Sequence, residues 1–168
     1  MHIQAVVSRV HDPRWAWTPL SGEGARRRGG RFNRLGLAAL YLSFSLPAAV
    51  REVSPIGRRM QSLVLCAYEV DVNPVFDALD PSERAAHSVR QAEIDCPTWR
   101  NDMFSGRTPA SQALADRLIA AGFAGMRVGS YALGASDRDV NLVLWRWGED
   151  LPSRVTLIDE ENRLGLDR

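Results

Sequence analysis

Apolar positions along the chain gather in short runs separated by polar and glycine-rich stretches. Ile3–Val10 is β-branched and mostly apolar, which predicts a first strand ending in Arg9-Val10-His11. Residues 11–30 hold Pro13, Pro19 and four glycines and predict a long loop, a feature that in compact domains is commonly functional. Ala38–Ser43 predicts a short buried strand. Ser45 is placed to cap a helix that tolerates Pro47 near its start. Leu46, Ala49, Val50 and Val53 share one face of that helix. Glu52 lies roughly 110° from the centre of the face by the helical period, a flank position from which a carboxylate can look into a cleft. Arg51, further round, is expected to face water.

Ser62–Val72, SLVLCAYEVDV, is the clearest strand and reads as buried on both faces. Residues 73–107 read as irregular, with a short helix over Pro81–His87 and Trp99 as a packing anchor. A helix follows, with Thr108 as its cap, Pro109 at its first position, a stripe of Ala110, Leu114, Leu118 and Ala121, and Gly122 as its stop. GMRVG is a short strand that delivers Ser130 at its end. VNLVLWRW is another strand, and RVTLIDE pairs at an edge. Most strands are short and one strong helix separates two of them, so the pattern predicts an α+β fold, a mixed β-sheet core with flanking helices.

Length and composition fit one soluble globular domain: 168 residues, 45% hydrophobic and 24% charged. The net charge of +1 gives no global field toward nucleic acid or anionic lipid. All 21 basic residues besides histidine are arginines. Cys66 and Cys96 are widely spaced, and His2, His11 and His87 are scattered, so no metal site is expected. The first fifteen residues lack a signal-peptide pattern, and the longest apolar run is too short to span a bilayer. A cytoplasmic location is the expectation, with reduced thiols.

Chemistry concentrates in ARRRGGRFN, Ala25–Asn33, and in the Tyr41–Glu52 stretch that follows it. Gly29 and Gly30 permit positive φ and close backbone approach. A guanidinium held by such a turn, as at Arg31, suits a planar charge-assisted pair with phosphate. The same stretch also reads as a solvated basic loop, or as an arginine-rich grip on RNA or an acidic partner. A carboxylate in partly apolar surroundings stabilises a cationic transition state, and an aromatic ring beside it stacks on a flat cationic heterocycle. No GxGxxG or GxxxxGK[ST] occurs, which closes those two routes to nucleotides.

The order of these elements, from Arg9-Val10 through GxGAxxxGGRFN, ALYLS, AxxE, the Thr-Pro helix, Gly129-Ser130 and NLVLW, resembles the RES domain. Arg31, Glu52 and Ser130 resemble the Arg, Glu and Ser of its name. The resemblance covers about residues 5–147 as the core of a single domain over 1–168, with 148–168 as an edge strand and tail. It implies a fold similar to ADP-ribosyltransferase toxins and a toxin of a bacterial type II toxin–antitoxin pair that consumes NAD. By that resemblance the nicotinamide–ribose bond is cleaved and ADP-ribose passes to a protein; water or phosphate as acceptor would make the enzyme a glycohydrolase or phosphorylase. It also implies roles. Arg9 and Arg31 would hold phosphates, Tyr41 would stack on nicotinamide, and Glu52 would steady the oxocarbenium ion. Ser130 and Asn141 would add polar contacts, Asn33 would support the Arg31 loop within the NAD site, and Ser43, Arg27 and Arg28 are further candidates. The implied partner is an Xre-like helix-turn-helix antitoxin that occludes the site. No membrane, direct nucleic-acid contact or metal is implied.

Overall fold

A computed structural model describes residues 1–54, 59 and 61–164; the end of the expected tail lies outside the described residues. The strands are β1 (Ile3–His11), β2 (Leu40–Ser43), β3 (Val64–Val72), β4 (Val75–Asp77), β5 (Gly125–Gly129), β6 (Val140–Leu144) and β7 (Ser153–Leu157). They form one sheet in the order β4-β5-β6-β2-β1-β3-β7. The β4–β5 pair is parallel and the other neighbours are antiparallel. The helices among the described residues are α1 (Glu23–Arg28), α2 (Leu46–Val53), α3 (Pro81–Ala86), α4 (Gln91–Asp95), α5 (Trp99–Phe104) and α6 (Ala110–Ala120), with a 3-10 turn at Pro13–Trp15. This is the α+β arrangement that the sequence pattern predicts. Among the described residues no helix is long and apolar enough to cross a membrane.

Two apolar cores lie on the two faces of the sheet. One gathers Ile3, Val7, Leu40, Leu42, Tyr68, Val72 and Leu144, together with Val75 and Val155 from the two edge strands. Edge strands can share a core only if the sheet curls, as strongly twisted sheets do. The other core joins Leu114, Ala115 and Leu118 of α6 to Met126, Val128 and Val143 of the sheet. Between the halves, β1 and β2 pair at a single register position, Ser8↔Ser43. Beyond it the strands diverge, and residues of both parities from each strand border the opening: Ser8, Arg9 and Val10 from β1, and Tyr41, Leu42 and Ser43 from β2.

Several elements differ from the sequence expectation, each for a local reason. β3 is buried on one face only: Cys66, Tyr68, Val70 and Val72 point inward while Leu65 and Glu69 are exposed. Residues 11–30 are not all loop, because Glu23 opens α1 and pairs with Arg26 and Arg27 at i+3 and i+4. Residues 73–107 hold β4 and three short helices rather than one. Pro109 is the N-cap position of α6 and Thr108 lies outside it. The buried face of α6 is Ser111, Gln112, Leu114, Ala115 and Leu118, whereas Ala110 and Ala121 are exposed. On α2, Ser45 does cap, accepting from the Ala48 N–H at 3.3 Å. There the buried positions are Ala48 and Ala49, while Leu46 and Val53 face outward.

Glu93 ties α4 to α6. Its Oε2 accepts from the Arg90 N–H at 2.9 Å and its Oε1 from Arg117 Nη1 at 2.8 Å. Burial opposes the charged form, but the bonds from Arg117 and Arg90 outweigh it and hold the carboxyl below its ordinary 4.5. A depressed folded-state pKa adds stability above the unfolded value, which is lost as pH falls through the folded value. Glu93→Gln is therefore expected to cost about 1–3 kcal/mol at neutral pH. The gap to the parent chain should close as pH falls below 4.5, as read from urea midpoints across pH. A gap independent of pH would count against the ionic account.

Candidate active site

The opening between β1 and β2 leads into a hollow of about 580 Å³, within the size range of small-molecule sites. Its walls come from the sheet, from α2, from the 3-10 turn with α1, and from the loop after β5.

Ala48, Ala49 and Glu52 lie one turn apart on the same side of α2. The face that packs on the sheet through two small residues therefore continues into a carboxylate at the hollow. Glu52 Oε1 accepts two bonds of 2.6 Å, from Ser130 Oγ and from Asn141 Nδ2. Asn141 is oriented in turn by Ser43, whose Oγ donates to Asn141 Oδ1 at 2.6 Å; the two residues are register partners across β2 and β6. Glu52 Oε2 has no protein partner among the described residues. The carboxylate is thus fixed through one oxygen and presents the other.

Ser130 sits where β5 ends, and its backbone N–H donates to Asp139 O at 2.7 Å, closing the base of the 130–139 loop. Arg51 does not face water as expected. It pairs with Asp139 at 2.8 Å, and Asp139 also accepts from the Ser136 N–H at 2.7 Å. The neighbour of Glu52 therefore clamps the loop that carries Ser130.

Arg31 lies with its guanidinium 3.9 Å from the Tyr131 ring centroid and 5.8 Å from that of Trp99. Its Nη1 donates to the carbonyls of Asp95 and Cys96. Burial lowers its pKa while Tyr131, Cys96, Asp95 and Glu52 act to raise it, and arginine remains charged throughout. Nε and Nη2 have no protein partner among the described residues, so that edge can meet an anion. Tyr41 contributes its ring to the hollow, while its hydroxyl donates to Asn33 Oδ1 at 2.8 Å and accepts from the Phe32 N–H at 3.1 Å. Burial pushes this phenol above its ordinary value, against the opposing Phe32 N–H, so it stays a neutral hydrogen-bonding aromatic. Gly29 has φ +66°, and a Cβ at Gly30 would stand 2.5 Å from the Tyr41 hydroxyl. Both glycines are thus required where the sequence suggested.

Arg9, Arg31, Tyr41, Ser43, Glu52 and Asn141 all line the one hollow, and Ser130 reaches it through Glu52. Arg9 is also a brace, with Nη1 donating to Pro19 O at 2.9 Å and Ser21 O at 3.4 Å. Asn33 does not line the hollow. It is fully buried, and its amide is spent on Ala25 O at 3.0 Å, Leu37 O at 2.9 Å and the Tyr41 hydroxyl. Phe32, next to Arg31 in the chain, is 2% exposed and belongs mainly to the core. Arg28 lines the hollow, whereas Arg27 turns to Glu23 at 2.6 Å. Sequence reasoning missed Tyr131, whose signal was an aromatic next to Ser130, and it read Trp99 only as packing.

The family model described as the RES domain matches residues 6–167. Among solved structures the chain is similar to one described as the M. tuberculosis MbcT–MbcA toxin–antitoxin complex. That likeness has a TM-score of 0.65 and 24% sequence identity, over 95% of this chain and 84% of the other. Comparison with curated proteins yields no match.

Proposed function

The chain belongs to the RES-domain family, and on that premise we propose that it is the NAD-consuming toxin of a toxin–antitoxin pair. In this reading it cleaves the nicotinamide–ribose bond of NAD and transfers ADP-ribose to a protein. The observation that carries the proposal is Glu52, held through one oxygen by Ser130 and Asn141 in a hollow shared with Arg31 and Tyr41. Nicotinamide departs neutral from a cationic ring, so the step asks for no strong acid. It asks for a fixed negative charge beside the anomeric carbon, a grip on the phosphates and an orienting surface for the ring. Glu52, Arg31 and the Tyr41 ring supply these in turn. Arg9 and Arg28 add positive charge along the same walls.

Arg26 and Arg27 share the single carboxylate of Glu23 while Arg28 and Arg31 line the hollow, so the basic stretch is divided between an ion-pair cluster and that site, which favours the enzyme reading over a binding module. The solved relative was crystallised as a toxin–antitoxin complex, and in this reading a cognate antitoxin of the Xre-like helix-turn-helix kind covers the hollow in the cytoplasm. The test is nicotinamide release from NAD by the purified chain, with and without inorganic phosphate, together with mass spectrometry of candidate proteins for added ADP-ribose. Protein modification is the expected result. Turnover that yields only free ADP-ribose, or that requires phosphate, would replace transferase by glycohydrolase or phosphorylase. No nicotinamide release under any of these conditions would overturn the proposal.

A further inference from the structure

Besides Tyr41, four aromatic side chains border the hollow: Trp15, Phe32, Trp99 and Tyr131. Three are already engaged. Phe32 is in the core. Tyr131 has its face against Arg31 and its hydroxyl on Asp95 at 3.0 Å. Trp99 is flanked by Arg31 and, at 5.0 Å, by Arg100. Trp15 is different. Its indole edge faces Gly24, where an added Cβ would stand 3.8 Å away. The Arg27 guanidinium stands 5.8 Å from its ring centroid. Its Nε1–H has no partner among the described residues, whereas those of Trp145 and Trp147 donate to Phe32 O at 2.7 Å and Leu20 O at 2.9 Å.

The order of groups along this wall is informative. Trp15 faces α1 at Gly24; α1, about 9 Å long, ends at Arg28; Gly29 and Gly30 follow, then Arg31, with Gly30 against Tyr41. The sequence ring, arginine, arginine, ring matches base, phosphate, phosphate, base in a dinucleotide. We infer that Trp15 is the stacking surface for the adenine of the dinucleotide and sets the preference for NAD over nicotinamide mononucleotide. This rests on the proposed reaction, with nicotinamide at Tyr41.

The test compares nicotinamide release from NAD and from nicotinamide mononucleotide by the parent chain, Trp15→Leu and Trp15→Phe. It adds calorimetric binding of AMP to the same three chains. Stacking of a base on an aromatic side chain predicts that Trp15→Leu raises KM for NAD about tenfold or more, with kcat little changed. KM for the mononucleotide should stay put, AMP affinity should fall by a similar factor, and Trp15→Phe should recover most of both. Equal effects on the two substrates, or no effect on AMP binding, would overturn the inference while leaving the reaction intact. If neither substrate is cleaved by the parent chain the reaction itself fails, and AMP binding that is the same in all three chains would then also dismiss Trp15.

Discussion

Glu52→Gln is expected to lower nicotinamide release by about a hundredfold to a thousandfold, the scale on which removal of one well-placed electrostatic stabiliser is felt, with the fold unchanged. The amide oxygen of glutamine can accept the same 2.6 Å bonds from Ser130 and Asn141, so the side chain keeps its place and loses its charge. That separates charge from geometry. Ser130→Ala does the opposite, since it retains the carboxylate but removes one of its two tethers. The loss there should be about tenfold, as for a charge-assisted bond worth ~1.5 kcal/mol. Single-turnover measurements with saturating NAD, alongside circular dichroism, check both. Glu52→Gln within a few-fold of the parent chain would remove the carboxylate from the chemistry. A Ser130→Ala loss as large as that of Glu52→Gln would mean that the serine contacts the reacting atoms directly.

How much of this site was legible beforehand depended on which signals are local. The Ser45 cap, the Pro-led helices and the demands at Gly29 and Gly30 are decided within a few residues, and the chain states them openly. The buried face of α2 is not local. Large apolar residues suggested Leu46 and Val53, yet close approach of an eight-residue helix to the sheet selects Ala48 and Ala49, and that choice is what turns Glu52 toward the hollow. The exposed face of β3, with Leu65 52% exposed, escaped notice because an apolar run cannot report whether a second layer covers it. The clamp between Arg51 and Asp139 joins residues 88 positions apart and has no sequence signature. Tyr131 and Trp99 earn their place only through the guanidinium between them, which tertiary structure alone brings to them.

Asn33→Ala is expected to cost about 3 kcal/mol or more of stability, among the largest effects of any single change at this site. The side chain is wholly buried and joins three separate segments. Nδ2 donates to Ala25 O within α1 and to Leu37 O before β2, while Oδ1 accepts from the Tyr41 hydroxyl. Truncation removes one bond from each of the three partners, about 1 kcal/mol apiece; Ala25 O keeps the Gly29 N–H and the Tyr41 hydroxyl keeps the Phe32 N–H, while Leu37 O is left without a partner among the described residues. Tyr41→Phe removes only the hydroxyl and leaves the Phe32 N–H and Asn33 Oδ1 to find new partners, so its cost should be nearer ~2 kcal/mol. Urea unfolding measures both. The comparison also decides the role of Asn33, because a residue that contacts the dinucleotide would weaken binding with stability intact. A buttress lowers stability first and disturbs the ligand only through the position of Arg31 and the Tyr41 ring. Asn33→Ala with an unchanged unfolding midpoint and a raised KM would return Asn33 to the binding surface. Loss of stability that bound NAD partly restores would instead mark it as the post behind that surface, since a ligand that binds only the folded chain pulls the equilibrium back.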